Sequence, residues 1–490
     1  MTTLTILGLG PGDSADLTRR AWQALEAADA VYLRTRLHPC VPDLPGNERY
    51  QSFDGLYESA TAFSEVYDGI VAQVLEAASQ RDVVYAVPGD PFVGESTTAR
   101  LIEGAKAKGV STEVIHGISF IEPMLGQIGI DAIDGLQITD ALVIASQHHP
   151  QINPDAPALI SQVYNRRVAS DVKLTLMNQY PDDFPVKLIH AAGTGEGRVE
   201  ELALYEIDHS DHIEHLTSLY LPALGEMSSF ERFQEIIAHL RAPEGCPWDR
   251  KQTHLSLRPY LIEEAYEVLD AIDREDMDDL SEELGDLMLQ IVLHTQIATE
   301  EGDFYMTDVL RQINQKMIRR HPHVWGEVNA ENADQVVTNW EAIKQQEKSA
   351  SGQSKPKSVL DGVQAALPAL MQAYKIQAKA AKVGFDWDNI ADVRAKVLEE
   401  IDEVQAADSP EARLDETGDL LFALVNWIRW LDVDDPEAAL RQATRKFTQR
   451  FYYVEEQVRA SGRDFSAFTL VELDAFWNQA KEREKQERAE

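Results

Sequence analysis

Eight acidic side chains recur at a spacing that suits one kind of chemistry. Glu264 stands three residues before Glu267, Glu283 three before Asp286, Glu400 three before Glu403, and Glu416 three before Asp419. Residues three apart on a helix are neighbours on one face, so each pair can reach a single point. Carboxylates brought that close repel one another unless a cation lies among them. A site rich in oxygen ligands that also accepts substrate phosphates is characteristic of magnesium. An isolated acidic pair is more often a solvated helix face, but these pairs do not stand alone. Each set of two is followed by a basic pair, Lys316 with Arg320 and Lys446 with Arg450, and then by Trp340 with Lys344 and Trp477 with Lys481. Arginine offers a planar fork to phosphate oxygens and lysine a point charge, which together suit a polyphosphate. The two tryptophans can stack on a base, although a single tryptophan at helical spacing is more often a packing residue.

The elements that must carry these groups are helices. Leu261 to His294 reads as two amphipathic helices joined by an acidic turn, and Val397 to Trp430 repeats the arrangement. In the first copy Leu261, Ala265, Val268, Leu269 and Ile272 form one apolar arc, and Leu280, Leu284, Leu287 and Ile291 form the other. Packing through those arcs is expected to bring four carboxylates together. Helical periodicity begins near Phe230, with Ser228 or Ser229 as N-cap and Leu221 to Met227 as a linker. A polar, lysine-rich stretch, Lys348 to Ser358, divides the helical region into two modules that repeat the same features in the same order.

Residues 1 to about 220 differ in character, alternating strand-like and helix-like segments as an α/β domain does. Thr3 to Leu9, Ala30 to Leu33, Asp82 to Val87, Val114-Ile115 and Ala141 to Ala145 read as strands. Closely spaced strand signals at Val172 to Met177, Val186 to Ala191 and Val199 to Tyr205 predict a mixed or antiparallel second sheet, hence two lobes with a cleft. Gly8-Leu9-Gly10-Pro11-Gly12-Asp13 lets the chain turn tightly after the first strand and approach a ligand. The proline removes one of the amide donors a phosphate cradle would use.

Bulk properties limit the partners. At 490 residues with 44% hydrophobic and 26% charged side chains, the chain is expected to form several soluble globular domains. A formal net charge of −38 disfavours a nucleic-acid polymer, and no apolar run approaches a membrane span. The two cysteines, Cys40 and Cys246, lie far apart without metal-ligand spacing, as expected for the reducing cytoplasm.

The motifs CPWDRKQTH, YLIEEAYEVLDAI, EELGDL, RRHPHVWGE and VGFDW, spread over about Phe230 to Glu487, closely resemble the MazG family of nucleoside triphosphate pyrophosphohydrolases. That resemblance implies an all-α fold and magnesium-dependent cleavage of nucleoside triphosphates between the α- and β-phosphates. It implies Glu264, Glu267, Glu283, Asp286, Glu400, Glu403, Glu416 and Asp419 as metal ligands. Lys316, Arg320, Lys446 and Arg450 would then hold phosphates, with Trp477 and Lys481 near the nucleotide. In the N-terminal part the glycine loop is followed by YAVPGDPFVGE and VIHGISFIE, and together they resemble the tetrapyrrole methylases, two-lobed α/β enzymes that bind S-adenosylmethionine in the cleft. By position the cofactor would contact Gly8, Gly10, Pro11, Gly89, Asp90, Val93, Ser119 and Phe120, with Tyr164, Met177 and Ala192 from the second lobe. The second motif continues as Phe92-Val93-Gly94-Glu95, where porphyrinogen methylases usually carry a glycine followed by arginine; that departure bears on the methyl acceptor. The expected organisation is multidomain: a tetrapyrrole methylase-like domain over 1–222 and tandem MazG-like modules over 228–348 and 359–490, assembling as a homo-oligomer, a dimer. An alternative is an S-adenosylmethionine-dependent methyltransferase whose helical part is regulatory.

Overall fold

The computed structural model of the chain describes residues 2–59, 63–225, 227–350 and 358–487. Two compact units are present, Met1–Val309 and Leu310–Glu490.

The first unit opens with a parallel sheet of order β3-β2-β4-β1-β5, built from β1 (Thr3–Gly8), β2 (Val31–Leu33), β3 (Gln51–Ser52), β4 (Val83–Val87) and β5 (Ser111–Ile115). Sheets of this kind are covered on both faces, and the strands accordingly read as near-continuous apolar runs. Leu4, Ile6, Tyr85 and Val87 enter one core with Leu101, while Leu7, Val84 and Ala86 enter another with Leu25 and Leu33. Strand β1 lies between β4 and β5, and the loops after β1 and β4 leave from the carboxyl ends of adjacent strands. Open α/β sheets bind ligands at such a place.

A second sheet, order β6-β7-β10-β8-β9, contains β6 (Gln137–Asp140), β7 (Ala158–Ser161), β8 (Pro185–His190), β9 (Arg198–Ala203) and β10 (Thr217–Leu221). Only β6 and β7 run parallel; the other pairings are antiparallel, so the expected mixed sheet is present. Two segments read as strands are helices instead, Ala141–Ala145 and Arg166–Leu176, the latter covering most of Val172 to Met177. Asp140 and Asn165 explain both: each side chain accepts from a backbone N–H of the first turn and starts a helix where the short apolar run alone is ambiguous.

Beyond β10 the first unit is helical. Helix α1 (Phe230–Arg241) is capped by Ser229, whose hydroxyl accepts from Arg232 N at 3.1 Å. Helix α2 (His254–Arg274) begins with a reciprocal cap between Thr253 and Ser256, and α3 (Met277–Glu301) starts at Asp276. Arg274 bridges Asp270, Asp276 and Asp279 across the acidic turn, holding α2 and α3 antiparallel. The apolar arcs are buried less than expected: Leu261, Ile272, Leu284 and Ile291 remain exposed. The core turns on Val292, Leu293 and Ile297 of α3 packed with Ile237, Leu257 and Met306, so the buried stripe is displaced from the one that periodicity suggested.

Helix α4 (Met306–Arg320) runs across the boundary between the units. The second unit continues with α5 (Ala333–Ala350), α6 (Ala369–Ala381), α7 (Ile390–Ala406), α8 (Pro410–Trp430), α9 (Pro436–Ala460) and α10 (Leu470–Glu487). Helix α8 starts at Ser409 with Pro410 in its first turn, so α7 and α8 form a second hairpin like that of α2 and α3. Of the expected linker Lys348–Ser358, the first three residues continue α5 and residues 351–357 lie outside the described ones. No described helix is long and apolar enough to cross a membrane.

Candidate functional site

In each helical hairpin the chain reversal sets two glutamates of one helix opposite a glutamate of the next. Carboxylate oxygens of Glu264, Glu267 and Glu283 lie within 4.8 Å of one another, and those of Glu400, Glu403 and Glu416 do the same. Such a donor set, all hard oxygen, fits a divalent cation such as magnesium. Burial and then neighbouring negative charge raise three of these acids above the ordinary glutamate range. For Glu264 the neighbours are Glu267, Asp286 and Glu283; for Glu283 they are chiefly Glu267, Asp279 and Asp286; for Glu403 they are Glu400, Glu416 and Glu399, opposed by Lys396. Asp286 therefore acts on the first cluster without belonging to its tightest group. Asp419 borders the same cavity as Glu400.

Glu400 differs from Glu264 in having a cation beside it. Its side chain is 5% exposed, Oε1 is 2.7 Å from Lys396 Nζ, and Oε2 is buried without a partner. Lys396 was not singled out from the sequence. The available signal was its position one helical turn before Glu400.

The arginines of the basic pairs are engaged in ion pairs of their own. Arg320 donates to Glu347 Oε2 at 2.6 Å from Nη2, Arg319 joins the same carboxylate, and the Arg320 guanidinium sits 5.3 Å from the Trp340 ring centre with Lys344 on that ring at 5.1 Å. The arrangement recurs further along the same unit: Arg450 donates to Glu484 Oε2 at 2.7 Å and lies 5.6 Å from the Trp477 ring, which also packs on Phe447 at 5.0 Å. The two arginines hold the Glu347 carboxyl down at about 2. Glu347 and Glu484 each follow a tryptophan by seven residues, a spacing present in the sequence and not used. Lys316 and Lys446 stand one turn before their arginines, and Lys481 one turn after Trp477. The cavity beside Glu400 and Asp419 takes its basic groups from Lys396 and Arg429, whereas Arg450 lines a different hollow with Tyr453 and Glu484. The structure thus gathers three carboxylates of each expected four and leaves Lys446 and Arg450 outside the cavity walls.

A separate cavity lies in the α/β region, walled by Pro11, Gly89, Val93, Phe120 and Ala192 among the expected residues. Gly10 and Gly89 bridge the two loops, N to O at 3.2 Å and 2.7 Å. A Cβ on Gly8 would stand 2.4 Å from Gly89 O and 2.7 Å from Gly117 N, so only glycine permits this approach. Asp90 orders its loop by accepting from Phe92 N at 2.8 Å and pairing with His116 Nδ1 at 2.8 Å. Ser119, two residues before the next helix, accepts from Ile121 N at 3.0 Å while its hydroxyl donates to Glu122 at 2.5 Å. Tyr164 and Met177 are not among the walls; Tyr164 precedes the helix that Met177 ends. Walls not anticipated include His38, Met124, Ser161, Gln162 and the segment His215–Ser218. Burial holds His38 neutral, down at about 4. Gln162 adopts φ 66°, a backbone conformation concentrated at ligand clamps. The mixed polar and apolar lining and the glycine-only approach fit a nucleoside-bearing cofactor such as S-adenosylmethionine. Glu95, the departure from the porphyrinogen pattern, is an internal ion-pair partner: it pairs with Arg34 and accepts from Thr97 N at 2.8 Å.

Two family patterns match the chain, the tetrapyrrole (corrin/porphyrin) methylases over residues 3–208 and the MazG nucleotide pyrophosphohydrolase domain over 252–325. The chain is 42% identical over 497 residues to YabN of Bacillus subtilis, described as uncharacterized, with 98% of this chain and 99% of that one covered. It is 47% identical over 252 residues to the nucleoside triphosphate pyrophosphohydrolase/pyrophosphatase MazG of Thermotoga maritima, covering 51% of this chain and 95% of that one. The nucleoside triphosphate pyrophosphohydrolase of Escherichia coli is 46% identical over 264 residues, 53% of this chain and 99% of its own length.

Proposed function

Because the chain belongs to the family that joins a tetrapyrrole methylase domain to a MazG nucleotide pyrophosphohydrolase region, we propose that it hydrolyses nucleoside triphosphates to the monophosphate and pyrophosphate with magnesium. The observation that carries this reading is the duplicated three-carboxylate cluster. In this reading Glu264, Glu267, Glu283 and Asp286, and Glu400, Glu403, Glu416 and Asp419, hold the cation. When bound, magnesium offsets phosphate charge and acidifies a coordinated water.

The remaining work falls to the chain. Carboxylates whose proton affinity is raised, Glu403 and its counterparts Glu264 and Glu283, are suited to take the proton of an attacking water. Lys396, fixed by Glu399 and Glu400, presents its charge to the cavity where a phosphate would lie. Glu347 and Glu484 hold Arg320 and Arg450 against Trp340 and Trp477, so in the present arrangement both guanidinium groups are engaged in ion pairs of their own. The division into 1–222, 228–348 and 359–490 belongs to the same proposal. So does a homodimer, supported by exposed Leu261, Ile272, Leu284 and Ile291 beside the first cluster. The decisive assay follows pyrophosphate and monophosphate release from a nucleoside triphosphate panel with magnesium; no turnover of any nucleotide at high enzyme concentration would sink the reading.

The cavity around Gly89 and Phe120 favours a second role, binding of S-adenosylmethionine by the α/β domain. Calorimetric titration with that compound tests it, and no heat at saturating protein excludes it.

A further inference from the structure

Two histidines join the open end of the first acidic hairpin. His254 is the first residue of α2, His294 lies in the second half of α3, and their Nδ1 atoms are 2.7 Å apart. The ring centres are 5.0 Å apart and the ring planes are 3° from parallel. With the nitrogens that close, so wide a separation of centres requires the two imidazoles to lie end to end in one plane. Their Nδ1 lone-pair directions then point at each other. That is the geometry of a single N–H···N hydrogen bond, with no room for a second proton between the rings.

The surroundings decide which ring donates. His294 Nε2 is buried without a partner, whereas His254 is exposed. A proton on His294 Nε2 would be an orphaned buried donor, the costlier kind of unpaired group. The shared proton therefore belongs to His294 Nδ1, while His254 accepts at Nδ1 and carries its own proton on the solvent side. A second proton has no good place. At His254 Nδ1 it breaks the bond, and at His294 Nε2 it leaves a charged ring with a buried, unpartnered N–H. Burial and then the charge of His254 hold His294 below the ordinary histidine range. Arg250 and Arg258 stand four residues either side of His254, α1 contributes Arg241, paired with Glu300 of α3, and α4 contributes Asp308, which accepts from Tyr305 N. His254 is the charge that shifts His294; these others do not.

The segment fastened by this bond ends at a natural boundary. Pro259 lies inside α2 and offers no N–H to Leu255, so the turn from His254 to Arg258 is joined to the rest of the helix by one bond fewer. A helix that loses this turn restarts with proline at its first position, where proline is favoured. The stretch before α2 carries Trp248, whose ring centre is 6.3 Å from that of Tyr260, four residues ahead of Glu264. The second hairpin has Ile390 and Trp427 at the places of the two histidines and cannot form the bond.

We infer that His254 and His294 form a proton-operated clasp: one shared proton fastens the start of α2 to α3, and uptake of a second releases the chain up to Arg258, in the first module alone. Because the closed form binds the extra proton less tightly than a free histidine does, closure is favoured above about pH 6.5 and weakens as pH falls below it. Such a clasp works whether or not the helices hydrolyse nucleotides, and no nucleotide enters its test.

Backbone hydrogen exchange of the full chain reads the opening, followed by mass spectrometry in peptides covering residues 252–258 and corrected for the intrinsic pH dependence of exchange. Protection of that segment is expected to fall about ten-fold between about pH 7.5 and 5.5, the size set by one histidine of ordinary affinity taking up its proton. The peptide that begins α7 at Ile390 is expected to show no such fall. His254→Asn, whose Oδ1 stands in for Nδ1 as an acceptor that does not titrate, is expected to keep the protection seen at the higher pH and to flatten the fall. His254→Leu, which removes the acceptor, is expected to lower protection throughout, and melting curves show that both variants are folded. Wild-type protection that does not change with pH overturns the clasp without needing any variant. So does a fall that persists undiminished in His254→Asn, or protection left unchanged by His254→Leu.

Discussion

Lys396 and Glu400 form an ion pair one helical turn apart, Nζ to Oε1 at 2.7 Å, at the wall of the cavity that Asp419 also borders. The first cluster has Tyr260 at the equivalent place, four residues before Glu264. The two copies therefore share their acids and differ in the cation beside them, which marks the second as the better equipped to receive a polyphosphate.

Replacing Lys396 by Met is expected to lower kcat/KM for nucleoside triphosphates by about a hundred-fold, as removal of one charged donor to a reacting phosphate typically does. Steady-state kinetics at saturating magnesium check it. An unchanged value would reduce Lys396 to a structural partner of Glu400.

Glu400→Gln and Glu264→Gln apportion activity between the modules. The account expects the double variant to lose hydrolysis with its fold intact, and the larger single loss to come from Glu400→Gln. Circular dichroism and product analysis on the three variants decide this; full activity in the double variant contradicts the metal assignment.

The clusters also make a pH prediction. Glu264, Glu283 and Glu403 have folded-state values raised above the ordinary glutamate range by burial and like charge. A raised carboxylate binds its proton more tightly when folded, so its contribution to stability is present below the unfolded value and is lost as pH rises through the folded one. In chelator, the melting temperature of the wild type relative to Glu264→Gln is expected to fall as pH rises from about 4.5, the ordinary glutamate value. Magnesium is expected to reverse that slope, because the cation needs the ionised acids. Scans at several pH values with and without magnesium measure it, and a slope insensitive to magnesium contradicts the site.

Ser229 joins the α/β region to the helices. Its hydroxyl caps α1 by accepting from Arg232 N and donates to Asp155 at 2.6 Å. Ser229→Ala is expected to cost about 1–2 kcal/mol, the usual value of an N-cap, read by chemical denaturation of the full chain.

Gly8→Ala tests the cofactor cleft. Its Cβ meets backbone atoms at 2.4 Å and 2.7 Å, which cannot move aside like a side chain. Loss of S-adenosylmethionine binding, with hydrolysis retained, is the expected outcome in calorimetry and product assays.

Helix periodicity in the sequence is enough to show the two acidic hairpins, because Glu264, Glu267 and Glu283 recur at helical spacing and are echoed downstream. Periodicity is less informative for short apolar runs: Ala141–Ala145 resembles a strand until the capping role of Asp140 is weighed. It also misplaced the buried stripe of α3, since which flank of a helix is covered depends on neighbours such as Ile237 and Met306 that are distant in sequence. Lys396 and Glu484 escaped notice for the same reason. Their significance comes from what they face or hold in the folded chain.

The central claim is tested most directly by incubating the wild-type chain with a nucleoside triphosphate and magnesium and identifying the products by chromatography. The account predicts monophosphate and pyrophosphate in equal amounts, abolished by chelation and by the Glu264→Gln, Glu400→Gln double variant. Formation of diphosphate and orthophosphate, or turnover that persists in the double variant, would contradict it.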